Sequence, residues 1–163
     1  MRLTKFALFL ALVLTLAVTA GAAVKVGDAF PHLAAARLEG KLPDALAGKV
    51  VLVDFWASWC GPCAQSFPAM DELQKKYGPQ GFVIVAVSVD DNRSDLDRFI
   101  KKHAVSFTVV RDAKQQLVAQ TDVATMPSSF LLGRDGRVAF VHNGFEGEKT
   151  KKQYASEIET LLK

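Results

Sequence analysis

The sequence predicts an α/β domain in which helices flank one mixed β-sheet. Residues 50–56 (VVLVDFW) and 82–89 (FVIVAVSV) are apolar runs of the kind that form strands buried on both faces. Between them, residues 62–77 carry apolar side chains at helical spacing, and Gly78-Pro79 is a stop signal for a helix. A strand, a helix and a second strand in this order indicate a parallel βαβ unit with a right-handed crossover.

After this unit the sequence predicts an additional strand–helix region and then an antiparallel hairpin. The additional region consists of a helix near residues 95–103, a short strand near 107–110 and a short helix near 115–120. Asp135-Gly136 then separates two apolar runs, residues 129–132 and 137–141, and Asp-Gly in such a place is a hairpin signal. Because the hairpin joins a parallel pair, the predicted sheet is mixed.

Local signals also predict where two helices begin and how the segment before the sheet is arranged. Ser94 is the predicted N-cap of the helix that follows it. The last helix, whose apolar stripe includes Tyr154, is predicted to begin near residue 151, because Thr150 and Gln153 have capping-box spacing. Residues 24–48 are less regular and predict short strands or turns laid over one edge of the sheet.

The composition fits a single folded domain without a strong surface charge. The chain has 163 residues, of which 50% are hydrophobic and 23% are charged, enough for one domain with a core. Its formal charge is +3, but Arg2 and Lys5 supply two of the 20 basic residues, and the other 18 stand against 17 acidic ones. This balance gives no electrostatic basis for binding nucleic acid. We assign residues 24–163 to one domain and expect a monomer.

Residues 1–23 have the pattern of a secretory signal peptide. Arg2 and Lys5 precede an apolar run, residues 6–18, and Ala20-Gly21-Ala22 fits an A-x-A cleavage site. The alternative is an uncleaved membrane anchor, because the uncharged stretch before Lys25 is just long enough to span a thin bilayer. Both interpretations place the domain outside the cytoplasm, in the periplasm, where disulfides persist.

The chain has two cysteines, Cys60 and Cys63, and three roles are open to the pair. A zinc site needs about four ligands. His32, His103 and His142 are scattered without ligand spacing, so no metal is expected. A structural disulfide across so few residues closes a tiny loop, for which the chain-entropy model predicts the least stabilisation. The third role, a redox-active pair, is favoured by the residues that flank the cysteines.

The position of the pair between two elements supports redox chemistry. Cys60 directly follows a predicted strand, and Pro62 suits the first turn of the predicted helix, where a missing N–H has no cost. The Cys60 sulfur is then at a helix N-terminus, where free N–H groups and the helix dipole stabilise a thiolate. Because a thiolate is the nucleophile in disulfide exchange, we expect Cys60 to attack and Cys63 to resolve the mixed disulfide.

Asp54 is a carboxylate within the first buried strand, six residues before Cys60. A lone buried carboxylate is costly, and desolvation is expected to raise its pKa. With a raised pKa, Asp54 can accept a proton from Cys63 during the resolving step. The alternative is that Asp54 makes only local hydrogen bonds and transfers no proton.

VDFWASWCGPC, residues 53–63, resembles the signature of the thioredoxin superfamily, including its aspartate. The closer match is the extracytoplasmic TlpA/ResA-like branch of thiol-disulfide oxidoreductases. KVGDAFPHL (residues 25–33) is similar to that branch's N-terminal motif, and MPSSFLLGRDGRV (residues 126–138) is similar to the segment at its cis-proline. The resemblance covers roughly residues 24–163. It implies a thioredoxin fold with an N-terminal extension and a strand–helix insertion.

The same resemblance assigns a substrate-binding surface. Pro127 is implied to be the cis-proline that faces the cysteines, and the backbone groups of Met126 are implied to pair with an extended substrate. Trp59, Gly61 and Pro62 are expected to form the rest of this surface, with Trp59 exposed. The alternative for Pro127 is an ordinary trans turn proline.

Two residues depart from the pattern of the branch. Ser66 stands where many relatives have a glutamate, three residues after the second cysteine. Asp54 stands where an asparagine is common. Without the glutamate, the pH tuning that depends on it is lost, and the site resembles a general thioredoxin more than a specialised haem-pathway reductase.

The dipeptide Gly61-Pro62, which reducing thioredoxins also carry, predicts a periplasmic reductase of protein disulfides. Its expected partners are proteins with disulfides or thiols and a membrane electron donor, and no cofactor besides the cysteine pair is expected. Cytochrome c maturation is one destination that the resemblance implies. Two alternatives stay open: a disulfide oxidase or isomerase, and a peroxidase. Against the peroxidase, Ala57 stands where peroxiredoxins place Thr or Ser before their reactive cysteine.

Overall fold

The computed structural model describes residues 23–163. The predicted signal peptide, its alternative as a membrane anchor and the Ala20-Gly21-Ala22 cleavage site fall on residues 1–23, almost all of them outside the described part, and they stay predictions. Within residues 23–163, no helix has both the length and the apolar character that are needed to cross a membrane.

Every strand and helix predicted from the sequence is present, with ends that differ by a few residues. In chain order the elements are a 3₁₀ turn Leu33–Ala35, β1 Val50–Trp56, α1 Gly61–Tyr77, a 3₁₀ turn Gly78–Gln80, β2 Phe82–Ser88, α2 Arg93–His103, β3 Thr108–Arg111, α3 Gln116–Thr121, β4 Ser128–Leu132, β5 Val138–Asn143 and α4 Glu148–Leu162.

A five-stranded sheet with the strand order β3-β2-β1-β4-β5 forms the centre of the domain. β1 and β2 pair in parallel, which confirms the predicted βαβ unit, and β2 and β3 also pair in parallel. β4 is antiparallel to both β1 and β5, which confirms the predicted hairpin and the mixed sheet. β1 is the middle strand, with β2 on one side and β4 on the other. The turn after β1 and the start of α1 therefore have other strands on both sides.

β1 is buried along its whole length because both of its faces are covered by other elements. On one face the Trp56 ring packs against Phe67 of α1, with centroids 4.6 Å apart, and Phe67 packs against Phe99 of α2 at 5.0 Å. Phe55, the neighbouring residue on the strand, points to the other face and meets Phe130 of β4 edge-on at 6.0 Å. The burial on both faces is what the continuous apolar run predicted.

The segment before β1 reaches both edges of the sheet. Ala29 forms a β-bridge with Arg137, next to β5, and Glu39 forms one with Arg111 of β3. The Arg111 guanidinium also pairs with the Glu39 carboxylate at 2.9 Å. The predicted short strands or turns are therefore present, but their placement over one edge was wrong. Both edge strands leave backbone groups unpaired, and the segment is long enough to pair with each.

Two predicted helix starts were wrong. α2 has Asn92 as its N-cap, so Ser94 lies inside the first turn. α4 has Gly147 as its N-cap, with φ 61° and ψ −132°, a backbone conformation that glycine adopts readily. Thr150 therefore lies within α4, and its hydroxyl accepts a hydrogen bond from the backbone N–H of Glu146 at 2.9 Å. The glycine, rather than a capping box, determines where α4 begins.

We predict that Phe67→Ala lowers the free energy of unfolding by about 3–5 kcal/mol, because it opens a cavity among buried rings that cannot collapse fully. Urea denaturation of the purified protein measures this. Val26→Ala is the control, since Val26 is largely exposed, and its effect is expected to stay within about 0.5 kcal/mol. Equal effects of the two substitutions contradict the account of the core.

Candidate active site

Cys60 lies where the chain leaves β1 and enters α1. It is the N-cap residue of α1, its backbone is extended, and Pro62 occupies the first turn. The backbone N–H of Cys63 donates a hydrogen bond to Cys60 Sγ at 3.2 Å. The sulfur thus does what a capping side chain does, because it satisfies one of the free N–H groups of the first turn. The same N–H and the helix dipole stabilise a thiolate at Cys60 in the reduced protein.

Cys60 and Cys63 are joined by a disulfide, with an S–S distance of 2.09 Å and Cα atoms 5.2 Å apart. The two residues differ in access, since Cys63 is fully buried and Cys60 retains 6% of its surface. A molecule that approaches from solvent therefore meets Cys60 first. This order of access fits the prediction that Cys60 attacks and Cys63 resolves.

A shallow groove of about 370 Å³ opens beside Cys60 and is lined by Trp59, Cys60, Pro62 and residues 123–126. Trp59 is 73% exposed, which confirms that its indole lies on the surface. Gly61 is exposed as well, and a Cβ added there meets no atom within 4 Å. None of the groove's lining residues carries a charge. The groove offers a neutral, largely apolar surface next to the accessible sulfur.

The peptide bond between Met126 and Pro127 is cis, as the resemblance implied, and not an ordinary trans turn. Met126 lines the groove and packs partly against the core, and Pro127 is buried directly before β4. Neither the N–H nor the C=O of Met126 forms a backbone–backbone hydrogen bond with another residue of the described chain. These two groups are free to pair with an extended peptide in the groove.

Asp54 is buried in the middle of β1. It lies two residues before Trp56 and therefore on the same face of the sheet, the face on which Trp56 packs against α1. Its Oδ1 accepts a hydrogen bond from the Ser129 hydroxyl at 2.5 Å. Its Oδ2 has no hydrogen-bond partner among residues 23–163. Burial raises the pKa of Asp54 from 3.8 to about 7, and the Ser129 hydrogen bond offsets part of this rise. The direction and the cause agree with the sequence-based expectation, and Asp54 titrates near neutral pH.

Ser129 and Tyr154 are site residues that the sequence analysis missed. Ser129 lies opposite Asp54 in the antiparallel register of β1 and β4. Its hydroxyl is 2.8 Å from the hydroxyl of Tyr154, on α4, and both residues are buried. Tyr154 belongs to the apolar stripe of α4, as predicted, but its hydroxyl also forms a hydrogen bond with Ser129 and so connects α4 to Asp54. Only the pairing of β1 with β4 reveals this network, and no local sequence pattern encodes it.

Asp90 is a second buried carboxylate that the sequence analysis missed. It lies two residues after the end of β2 and accepts hydrogen bonds from both the backbone N–H and the hydroxyl of Ser58, at 2.7–3.1 Å. The Ser88 hydroxyl donates to it as well, at 2.7 Å. Ser58 lies in the turn between β1 and Cys60, so Asp90 fixes the loop that presents the cysteine. An acidic residue at the carboxyl end of a strand parallel to β1 was the available signal.

Ser66, the residue in the position of the missing glutamate, faces the interior of the domain. It is buried, and its hydroxyl donates to the Cys63 carbonyl within α1 at 2.9 Å. A serine hydroxyl does not titrate in the physiological range. The pH response of the buried site therefore depends on Asp54 and not on this position.

Comparison with known proteins shows what the chain is similar to. The Redoxin family model matches residues 25–158. The thiol-disulfide oxidoreductase ResA of Bacillus cereus (strain ZK / E33L) is 33% identical over 141 residues, which are 85% of this chain and 79% of that protein. ResA of Geobacillus thermodenitrificans (strain NG80-2) is 32% identical over 139 residues, which are 83% of this chain and 79% of that protein.

A solved structure agrees with these relatives. A crystal structure from Chlorobium tepidum, assigned as a thiol:disulfide interchange protein DsbE, superposes with a TM-score of 0.80 and 39% sequence identity. The match covers 86% of this chain and 100% of that one. The names of these proteins describe exchange between thiols and disulfides. A disulfide between Cys60 and Cys63, with Cys60 the more accessible of the two, is consistent with that reaction.

We predict that Asp54→Asn makes the protein more stable than the wild type and that its advantage grows with pH. The folded-state pKa of about 7 lies above the unfolded value of 3.8. The folded protein therefore binds the extra proton between these values, and the wild type loses stability as the pH rises through that window. From pH 5 to pH 8 the advantage of Asn is expected to grow by about 2–3 kcal/mol.

Urea denaturation at several pH values measures this difference. Asp44→Asn is the matched control, because the Asp44 side chain is exposed and its substitution leaves the pH dependence of stability unchanged. If Asp54→Asn and the wild type respond to pH in parallel, Asp54 does not titrate as described.

Proposed function

The chain belongs to the thioredoxin superfamily as a ResA-like thiol-disulfide oxidoreductase, and from this premise we propose that it reduces disulfides of extracytoplasmic proteins. The observation that carries the proposal is the place of Cys60. Its sulfur accepts the N–H of Cys63 at the start of α1 and is the more accessible of the pair. This is the environment in which a thiolate forms readily and can reach another protein.

The first step is attack by the Cys60 thiolate on one sulfur of a substrate disulfide. The substrate S–S bond breaks, a substrate thiolate leaves, and a mixed disulfide joins Cys60 to the substrate. Trp59, Gly61 and Pro62 flank the sulfur, and an extended substrate segment in the groove pairs with the free backbone groups of Met126 next to Pro127. Binding is thus through backbone groups and apolar surface, and the uncharged groove requires no particular charge in the substrate segment.

The second step releases the substrate. The Cys63 thiol gives its proton to Asp54, and the resulting thiolate attacks Cys60 Sγ. The second substrate thiolate leaves, and the Cys60–Cys63 disulfide of the present structure forms. Two electrons have then passed to the substrate. A pKa of about 7 for Asp54 suits this role, because the carboxylate is partly ionised at neutral pH and can both take and release a proton.

The surroundings of Cys60 favour donation of electrons over oxidation. A thiolate held by several donors or by a nearby cation stabilises the reduced form and makes the pair a strong oxidant, as in DsbA at about −120 mV. In the described chain, one N–H donates to Cys60 Sγ, and the groove beside it has no charged lining residue. Such modest stabilisation, together with Gly61-Pro62, supports a potential nearer that of thioredoxin, about −270 mV.

The proposed location follows from the N-terminal sequence, and the proposed partners follow from the direction of electron flow. Residues 1–23 have the signal-peptide pattern, so we place the domain in the periplasm, as a monomer that is either released or held by an uncleaved anchor. Glutathione is not a reliable reductant there, so a membrane electron donor recharges the pair. Apocytochrome c thiols in cytochrome c maturation are one destination. An oxidase or isomerase remains the alternative function, and a peroxidase a more remote one.

We predict that the purified protein accelerates the reduction of insulin by dithiothreitol and that Cys60→Ser abolishes this activity. Precipitation of the freed insulin chains measures the rate. The matched variant is Cys63→Ser, which keeps the nucleophile but cannot resolve, so it accumulates a mixed disulfide visible on a non-reducing gel. Turnover by Cys60→Ser, or trapping by Cys60→Ser in place of Cys63→Ser, contradicts the assigned roles.

A further inference from the structure

Three buried oxygen-bearing side chains, those of Asp54, Ser129 and Tyr154, form a continuous hydrogen-bonded line in the interior of the domain. Ser129 Oγ is 2.5 Å from Asp54 Oδ1, and Tyr154 Oη is 2.8 Å from the same serine oxygen. The groups come from three different elements, β1, β4 and α4. Asp54 and Ser129 are brought together by strand pairing, whereas Tyr154 comes from the helix that packs on the sheet.

The line has one favourable direction. A hydroxyl can donate a single hydrogen. If Tyr154 donates to Ser129 and Ser129 donates to Asp54 Oδ1, every hydrogen has an acceptor. In the reverse direction the Tyr154 hydrogen needs another acceptor, and the Tyr154 hydroxyl has no further hydrogen-bond partner in the described chain. A buried donor without an acceptor is costly, so the line runs from Tyr154 towards Asp54.

This direction distinguishes the two oxygens of Asp54. In the ionised carboxylate, Oδ1 is already occupied by the Ser129 hydrogen, so an incoming proton meets the other oxygen first. Oδ2 has no partner among residues 23–163 and is the oxygen left to gain and lose it. The residue paired with Asp54 on β2 is Ala86, so no cation approaches from that strand. The hydroxyls of β4 and α4 are therefore the polar groups that hold the carboxylate.

We propose that Ser129 and Tyr154 are positioning residues for the resolving step, which fix the Asp54 carboxyl group so that Oδ2 receives the proton of Cys63. The proposal rests on the proposed function, since it assigns an atom to the proton transfer described there. The Cys63 S–H bond breaks, the proton passes to Oδ2, and the electron pair stays on sulfur for attack on Cys60. Tyr154 acts through Ser129 and touches neither cysteine in this scheme.

Other titratable groups lie near the hydrogen-bonded line. Their effect on the pKa of Asp54 must be distinguished from the effect of Ser129 and Tyr154. His142 of β5 packs edge-on against the Tyr154 ring at 4.8 Å, and its Nε2 is 2.7 Å from the Glu157 carboxylate of α4. Asp54 and Glu157 both raise the pKa of Tyr154, after the larger effect of burial. On α1, the two cysteines do not titrate in the oxidised protein. The other titratable residues of α1 are Asp71, Glu72, Lys75, Lys76 and Tyr77, all two or more helical turns beyond Cys63.

The test is the pKa of Asp54 in the oxidised protein, measured from carbonyl chemical shifts in protein labelled with ¹³C-aspartate, with Asp54→Asn to assign the signal. Ser129→Ala removes a hydrogen bond to the ionised carboxylate and is expected to raise this pKa by about 1. Tyr154→Phe keeps the ring and is expected to raise it by about half as much. Tyr77→Phe is the matched control, because Tyr77 is also buried and its hydroxyl bonds to Glu159, away from Asp54.

A second readout is the pH dependence of the rate at which the mixed disulfide resolves. Its midpoint is expected to move to higher pH in Ser129→Ala and Tyr154→Phe, in step with the pKa of Asp54, and to stay in place in Tyr77→Phe. A purely structural role for the two hydroxyls would slow the reaction equally at all pH values, and that result overturns the proposal.

Two further outcomes would overturn it. One is an Asp54 pKa that is unchanged in both Ser129→Ala and Tyr154→Phe. The other is a larger change in Glu157→Gln than in Ser129→Ala, because that places control of the carboxyl group in the His142–Glu157 pair. The titration uses the oxidised protein and no substrate, so it stands even if Cys60→Ser proves active. Failure of the positioning proposal and failure of the proposed function are therefore distinguishable.

Discussion

The hydrogen bond from the Cys63 N–H to Cys60 Sγ is the interaction on which the site depends. It exists because β1 ends at the sheet's centre and a turn of four residues, 57–60, leads into α1, so that the Cys60 sulfur takes the place of a capping side chain. The requirements on the rest of the fold follow from this. β1 must be fixed on both faces, the turn at Ser58 must be held by Asp90, and Pro62 must occupy the first turn without an N–H to lose.

A second constraint is the buried carboxylate of Asp54, which the same strand carries. Burial of Asp54 opposes stability at neutral pH, since the ionised form is poorly solvated. Among residues 23–163, the Ser129 hydroxyl, itself bonded to the Tyr154 hydroxyl, is what lowers the pKa of Asp54, and no cation contributes. The pKa therefore stays near 7 and does not return to its ordinary value. The charge state of the site is therefore balanced near physiological pH, where a proton acceptor for a thiol is most useful.

The sequence predicts much of this arrangement but not its long-range contacts. The apolar runs, the Asp135-Gly136 turn and the cysteine spacing are local signals, and each was sufficient for its element. The Ser129–Tyr154 network lies 75 and 100 positions from Asp54 and depends on strand register and helix packing. The predicted start of α4 near residue 151 was wrong for a related reason. The capping-box spacing of Thr150 and Gln153 is a local pattern, whereas the helix begins where the backbone of Gly147 allows it. The course of the N-terminal segment likewise depends on which strands become edges.

The most direct test of the central claim, that this pair donates electrons, is its reduction potential. Equilibration of Cys60 and Cys63 in defined thiol–disulfide buffers, followed by quantification of the reduced and oxidised forms, gives the value. The account predicts a potential near that of thioredoxin, about −270 mV, because among residues 23–163 a single N–H donates to Cys60 Sγ and no charged residue lines the groove beside it. A value near about −120 mV contradicts it, since a gap of about 150 mV, or roughly 7 kcal/mol, makes the pair an oxidant of protein thiols.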